Sequence, residues 1–185
     1  LGGLMEFDYV VVGAGSAGCA VANRLSQCGK YLVALIEAGP SDNSPWIHVP
    51  VGYYRTMGNP KSDWCYETQS DKGIANRSIP WPRGRVMGGS SSINGLLYVR
   101  GQPQDFDVWS QLGCTGWSWD GVLPYFKRSE SWGGIGETGL RGKDGPLSVQ
   151  SARLKRDIVD HWVDAAVAAG YQRNNDYNGS TQEGV

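Results

Sequence analysis

The residue types best suited to chemistry stand near the start of the chain, where glycines recur at fixed spacing ahead of an acid. Gly13, Gly15 and Gly18 form the pattern GxGxxG, and Glu37 follows roughly 20 residues further on. In this pattern the first glycine allows a tight turn, the second lets the backbone approach a pyrophosphate, and the third lets a helix pack closely on a strand. A carboxylate at this distance binds ribose hydroxyls. The spacing predicts a dinucleotide site; the alternative is a glycine turn without a ligand and a surface Glu37.

Elements of alternating type must hold these glycines in place. Residues 7–12 form a continuous β-prone run, typical of a strand buried on both faces. Apolar spacing from Ala17 to Leu25 indicates a helix, and Gly29 stands where that helix would end. A second β-prone run, 31–36, leads directly into the acid. The order predicts a βαβ unit over residues 7–37, in which NAD and FAD both fit and NADP is disfavoured because Glu37 would repel a 2′-phosphate.

A second glycine motif lies at Gly88 and Gly89, followed by three consecutive serines. Runs of Gly and Ser often form flexible linkers. Here Arg83 and Arg85 precede the glycines and a β-prone run, 96–99, follows the serines, so the stretch does not have the composition of a linker. The motif instead predicts a backbone shaped to lie against a ligand.

The remaining elements are predicted from periodicity. Punctuation by Pro and Gly predicts a long and mostly irregular excursion between residues 40 and 80, of the kind that is often functional. Helices are predicted over 105–111, 119–129 and 156–169, with a strand-like run at 146–150. The polar stretch after Gly170 is expected to be exposed, as a site of cleavage would be.

Composition excludes several classes of protein. The chain has 185 residues with a net charge of −1 and no cluster of basic residues, which argues against a nucleic-acid partner. Four cysteines without metal-ligand spacing predict neither a disulfide framework nor a zinc site, and they favour a reducing, cytoplasmic location. No apolar run reaches the roughly 18 residues that a membrane span needs.

The motifs as a set resemble those of the glucose–methanol–choline (GMC) oxidoreductases, and most closely the choline-dehydrogenase-like FAD alcohol dehydrogenases. The stretches that carry the resemblance are DYVVVGAGSAGCAVANRLS, EAGP, DWCYETQ, GRVMGGSSSINGLLYVRGQPQDFDVW, GWSWDGVLPYFKRSE and DGPLSV. The match runs from Phe7 to Val185, and residues 84–107 are its most specific part. It implies an α/β fold with a Rossmann-like FAD-binding domain, incomplete without a C-terminal portion. The FAD-binding domain would occupy residues 1–150, with a flavin-proximal loop region at 40–101, and residues 151–185 would begin the substrate-binding region.

The resemblance also implies which residues contact FAD. They are Gly13, Gly15, Ser16, Ala17, Gly18, Glu37, Ala38, Trp64, Arg85, Met87, Gly88, Gly89, Ser90, Asn94, Gly95, Leu96 and Leu97. Two assignments have alternatives, since Arg85 could be a structural ion-pair residue and Trp64 a core residue. Some family members attach FAD through a histidine just before the asparagine of this motif; Ile93 stands there, so non-covalent FAD is expected.

The activity implied is oxidation of a small-molecule alcohol by hydride transfer to flavin N5, with a histidine accepting the hydroxyl proton. His48 and His161 do not match the family's catalytic positions, so no catalytic residue is assigned in this chain. The partner expected is the C-terminal portion of the same protein, either as a separate chain, which is the favoured arrangement, or as a portion missing from this sequence. Alternatives are a non-redox enzyme of the same fold, either a lyase or a photodecarboxylase, and a non-catalytic flavin-binding module. The second glycine motif disfavours a plain NAD-dependent dehydrogenase.

Overall fold

A computed structural model describes residues 5–136 and 139–185 of the chain. By the contacts within it, the chain divides into two units, the first ending at Leu97 and the second beginning at Tyr98. This division falls within the flavin-proximal region expected from the sequence. The boundary expected near residue 150 separates the FAD-binding domain from the substrate-binding region, which is a division by function and not by contacts. It stays a prediction.

The first unit is built on the βαβ arrangement that the glycine spacing predicts. Strand β1 (Tyr9–Val12) runs parallel to β2 (Val33–Ile36), and helix α1 (Ser16–Ser26) connects them. Gly18 lies where a Cβ atom would come within 1.9 Å of the Gly13 carbonyl oxygen, so only glycine lets the helix start this close to the turn. The strands are shorter than predicted, and Gly29, with φ of 67°, follows the helix.

The sequence predicts that β1 is buried on both faces, and within this chain it is not. Val10 is 56% exposed and Val12 is 81% exposed. A parallel strand is buried when helices cover both faces of its sheet. Within the described residues the sheet has two strands, β1 and β2, and most of its apolar surface is uncovered.

The excursion after β2 is irregular, as predicted, and contains only short elements. These are α2 (Pro45–His48), α3 (Tyr53–Thr56), β3 (Tyr66–Glu67) and the 3₁₀ turns Pro50–Gly52 and Lys72–Ile74; strand β4 (Pro80–Trp81) and the 3₁₀ turn Gly89–Ser92 follow the excursion. Strands β3 and β4 pair antiparallel. The second glycine motif therefore enters a single 3₁₀ turn rather than a flexible segment.

The second unit contains the three predicted helices and one small sheet. Its elements are α4 (Pro103–Gln111), α5 (Trp119–Ser129), β5 (Glu130–Trp132), β6 (Leu147–Val149) and α6 (Asp157–Ala168). Strands β5 and β6 run parallel, and β5 was not expected from the sequence. Phe106 is buried and packs edge-to-face on Trp109 and Phe126. The apolar stripe of α6 stays open, with Trp162 63% exposed.

Charged side chains form part of the buried interior of this unit. Glu130 is fully buried and lies between two guanidinium groups, 2.6 Å from Arg100 and 2.8 Å from Arg141. Arg141 also contacts Asp176 at 3.3 Å and covers the ring of Trp132. Because buried charges are tolerated when they are paired and hydrogen-bonded, the four ionic groups compensate one another.

The polar stretch near residue 178 corrects another expectation. Asn178 is buried; its amide oxygen accepts from the Arg100 N–H at 2.8 Å, and its amide nitrogen donates to the Tyr98 carbonyl at 2.9 Å. Gln182 donates to the Arg100 carbonyl. The stretch was expected to be exposed, and at Asn178 that is wrong because its polar side chains satisfy backbone groups of residues 98–100.

Candidate functional site

The two glycine motifs, distant in sequence, meet in the first unit. The Gly88 N–H donates to the Ala14 carbonyl oxygen at 2.8 Å, and the Met87 N–H donates to the Pro40 carbonyl at 2.9 Å. A Cβ atom on Gly89 would lie 2.9 Å from the Gly15 Cα. The turn after β1, the chain after β2 and the glycine–serine motif therefore form one structure, and a linker role for the motif is excluded.

Close backbone contacts explain two glycines that the sequence reasoning missed. A Cβ on Gly39 would lie 2.1 Å from the Arg85 carbonyl carbon and oxygen. A Cβ on Gly84 would lie 2.1 Å from the Gly89 carbonyl oxygen. In the sequence, Gly39 is marked only by its place after Glu37 in EAGP, and Gly84 is marked only by its place before the second glycine motif. These glycines let the loops pack backbone against backbone.

The N-terminus of α1 offers unpaired donors next to this contact. Gly15 precedes the helix in an extended conformation, and no side chain caps the first turn. The N–H groups of the first turn, in Ser16, Ala17 and Gly18, thus lack an intrahelical partner and carry the positive end of the helix dipole. A Cβ on Gly15 would meet only the Gly89 Cα, at 3.9 Å. This open space and these donors suit a phosphate group.

Glu37 lies against the same turn. Its Oε2 accepts from the Ala14 N–H and its Oε1 from the Gly39 N–H, both at 2.9 Å. The side chain follows β2 directly and is half-buried. An ionised carboxylate has about four lone-pair sites, so acceptor capacity for two further donors remains. The arrangement can bind a pair of hydroxyl groups.

Trp64 and Arg85, both predicted site residues, contact each other. The Arg85 guanidinium lies over the Trp64 ring, 5.4 Å from its centroid, and Trp64 stacks on Tyr66. Trp64 is 42% exposed, so within this chain it is not a core residue. The alternative interpretation of Arg85 was a structural ion pair. Among the described residues no carboxylate pairs with Arg85, and its guanidinium contacts the Trp64 ring instead.

The last predicted group, Asn94 to Leu97, is not joined to the glycine turns by any hydrogen bond of the described residues. The Asn94 Oδ1 accepts from the Leu96 N–H at 3.0 Å, and Leu96 has φ of 62°, in the left-handed region that leucine rarely adopts. All four residues are exposed. The asparagine side chain thus shapes this segment through a local turn.

Asp63 is a buried residue of the first unit that sequence reasoning did not single out. Its Oδ2 accepts from the Gly58 N–H at 2.7 Å, and its Oδ1 accepts from Cys65 and Arg83, both at 2.9 Å. Burial alone would raise the pKa of Asp63, but the backbone hydrogen bonds outweigh burial and lower the pKa below 3.8. The carboxylate is therefore ionised at neutral pH.

Neither histidine lies in this arrangement of loops. His48 is exposed with its Nε2 2.7 Å from the Asp42 carbonyl oxygen, and His161 lies on α6. Within residues 5–136 and 139–185, no three His, Cys, Asp or Glu side chains gather as metal ligands. In the same residues, every helix is too short or too polar to cross a membrane.

Comparison with known proteins gives the family. The sequence profile of the GMC oxidoreductases matches residues 7–185. The chain belongs to the GMC oxidoreductase family. It is 48% identical to the oxygen-dependent choline dehydrogenase of Rhizobium johnstonii over 180 residues, which are 97% of this chain and 33% of that protein. The chain thus spans about a third of the length of the curated relatives it matches.

Solved structures of two oxidases have the same fold. Pyridoxine 4-oxidase from Mesorbium loti superposes with a TM-score of 0.87 at 36% identity, over 95% of this chain and 34% of that one. A formate oxidase from Aspergillus oryzae, in a structure that concerns modification of its FAD, gives a TM-score of 0.82 at 31% identity, over 94% of this chain and 32% of that one. The family and the α/β fold predicted from the motifs are confirmed.

Proposed function

We infer that this chain provides the FAD-binding part of an oxidoreductase that oxidises a small-molecule alcohol. The observation that carries the proposal is the hydrogen bond from Gly88 to Ala14, which joins the two glycine motifs into one site. Membership of the GMC family supports the reaction class, and the similar structure of a formate oxidase concerns modification of its FAD. The choline dehydrogenase relative, whose named substrate is an alcohol, supports the substrate class.

The residues present fit FAD. The pyrophosphate would meet the free N–H groups of Ser16, Ala17 and Gly18, in the open space beside Gly15. The carboxylate of Glu37 would accept from the hydroxyls of the adenosine ribose with the acceptor sites that Ala14 and Gly39 leave free. The residues proposed for the flavin end are Trp64, Arg85, Met87, Gly88, Gly89, Ser90, Asn94, Gly95, Leu96 and Leu97.

When bound, FAD supplies a hydride acceptor at flavin N5. The part of this chain in the reaction is to hold and orient that group, because the site contains donors and a carboxylate but no histidine. The Nε2 of His48 is engaged with the Asp42 carbonyl, and His48 is assigned no proton transfer. The base that takes the hydroxyl proton is proposed to lie outside this chain.

The attachment of FAD is proposed to be non-covalent. Ile93 carries no nucleophile, is 2% exposed and directly follows the 3₁₀ turn Gly89–Ser92. Acid precipitation of the purified protein should release all flavin into the supernatant. Flavin retained in the protein pellet would contradict this.

The partner proposed for this chain is the rest of a GMC oxidoreductase, within the same polypeptide or as a separate one. The uncovered valines of β1 and the uncovered Trp162 of α6 support it, since exposed apolar patches mark interaction surfaces. Intact mass of the native protein distinguishes the two arrangements.

An anaerobic absorbance titration of the whole protein tests the activity. Flavin bands that bleach on addition of a primary alcohol, such as choline, are expected. Bound flavin that no alcohol bleaches would instead favour a non-redox enzyme or a non-catalytic flavin-binding module. A protein without flavin would refute the proposed function.

A further inference from the structure

The segment Ser62–Trp64 pairs with the chain that enters the second glycine motif. The Trp64 N–H donates to the Arg83 carbonyl at 2.9 Å, and the Arg85 N–H donates to the Ser62 carbonyl at 2.8 Å. The side chain of Asp63 adds a third bond between the two segments, from the Arg83 N–H to Oδ1. Asp63 is 2% exposed, and among the described residues no cation pairs with it.

The two carboxylate oxygens of Asp63 have separate tasks. Oδ2 accepts from Gly58 and so closes the loop to which Asp63 itself belongs. Oδ1 accepts from Cys65 and from Arg83, which lies 20 positions away. The long-range bond is thus made by one oxygen, and the local bond to Gly58 is made by the other.

The chain beyond Arg83 leads directly to the site. The Gly84 N–H donates to the Ser90 Oγ at 3.1 Å, and the Gly88 N–H donates to Ala14. Arg85 packs its backbone against Gly39, next to the acid that would hold the ribose. The position of Arg83 therefore determines how the second motif approaches the first.

We propose that Asp63 is a positioning residue for FAD, holding the second glycine motif against the first through the Arg83 N–H. The inference rests on the proposed FAD site. It gives a role to a buried carboxylate that touches neither the glycine turn nor Glu37. Because the role belongs to Oδ1, it separates from the contribution of Asp63 to the stability of its own loop.

Three variants of the whole protein test this separation. D63N keeps an oxygen for Arg83 and directs its NH₂ group at the Gly58 N–H, so it loses the local bond. D63A loses all three bonds. D71A is the matched control, since Asp71 also accepts a backbone N–H, from Gly73, but is exposed and outside the site.

The measurements are the FAD dissociation constant, the visible circular dichroism of bound FAD, and the thermal midpoint of the apoprotein. D63A should weaken FAD binding by about tenfold or more and alter the flavin dichroism. D63N should stay within about threefold of wild type in affinity, although its thermal midpoint falls. D71A should match wild type in affinity and in dichroism.

Several results would overturn the proposal. One is a D63A variant that binds FAD with wild-type affinity. Another is a loss of FAD affinity that parallels the fall in thermal midpoint in both D63A and D63N, because that would mean a merely structural role. If D63A does not fold, D63N decides: a tenfold loss of affinity in D63N refutes the proposal, and retained affinity with a lowered midpoint supports it. A wild-type protein that binds no FAD would instead refute the proposed function.

Discussion

Gly15 and Gly18 belong to one motif, yet alanine should affect them in opposite ways. Gly15 has φ of −80° and ψ of −170°, a conformation open to alanine, and its Cβ would make one ordinary contact of 3.9 Å. The fold should therefore tolerate G15A, with a gain of about 0.4–1 kcal/mol from reduced freedom of the unfolded chain. The new methyl group, however, occupies the space in which the pyrophosphate would lie.

The expected loss in binding follows from that overlap. Inserting a methyl group into a closely packed site costs about 1–3 kcal/mol, which corresponds to roughly 5–150-fold weaker FAD binding. In Gly18, by contrast, the Cβ would lie 1.9 Å from the Gly13 carbonyl oxygen, a backbone atom that a rotamer change cannot move. G18A should lower the free energy of unfolding by more than about 2 kcal/mol.

The assay compares the two variants in the whole protein. Urea unfolding of the apoprotein gives the stability, and quenching of flavin fluorescence gives the FAD dissociation constant. G15A with wild-type affinity would show that no phosphate lies beside Gly15. G15A as unstable as G18A would contradict the division of tasks between the two glycines.

Three further predictions test the energetics of the fold. E130Q should lower the free energy of unfolding in urea by about 3–5 kcal/mol, because it leaves buried guanidinium groups without their carboxylate. The control D164N, in an exposed ion pair, should lower it by less than about 1 kcal/mol. Equal losses in the two variants would contradict this. A75G should gain about 0.5–1 kcal/mol in thermal unfolding, since Ala75 has φ of 58° and pays for a left-handed conformation that glycine adopts freely; a loss would mean that the entropy of glycine dominates. The carboxylate of Asp63 has a lowered pKa in the folded state, so its contribution to stability is complete above the unfolded value of 3.8 and is lost as the pH falls through the folded value. Urea unfolding of D63N across the acid range should accordingly show a weaker fall below about pH 4 than wild type, and parallel curves would refute the assignment.

The βαβ unit could be predicted from the sequence because its signals are local. Strand, glycine turn, helix and acid follow one another, and the third glycine has a steric reason that holds in any such unit. The contact between Gly88 and Ala14 was not expected, because nothing in either motif encodes the partner and the resemblance implied only that both motifs contact FAD. Gly39 and Gly84 were missed because their need for glycine arises from backbone segments far away in the chain.

The interior of the second unit could not be predicted for a related reason. Arg100, Glu130 and Arg141 have the composition of a solvated surface, and only their mutual neutralisation makes burial possible. Strand β5 begins at that glutamate, so its sequence lacks a continuous apolar signal. Asp63 likewise has no periodic pattern around it, and its burial depends on backbone donors from two segments.

The pairing of Asn178 with the backbone of Tyr98 and Arg100 has a consequence for biosynthesis. These bonds span 80 and 78 positions, so the Tyr98 carbonyl and the Arg100 N–H cannot form them until residue 178 has left the ribosome. At about 5–20 residues per second, this part of the nascent chain waits several seconds in an open state. During that interval the backbone groups of Tyr98 and Arg100 lack their partner Asn178, whereas the local βαβ unit has already emerged as a whole. Because synthesis runs from the N-terminus, the first unit, which carries the proposed FAD site, is synthesised before Asn178 can complete the second unit.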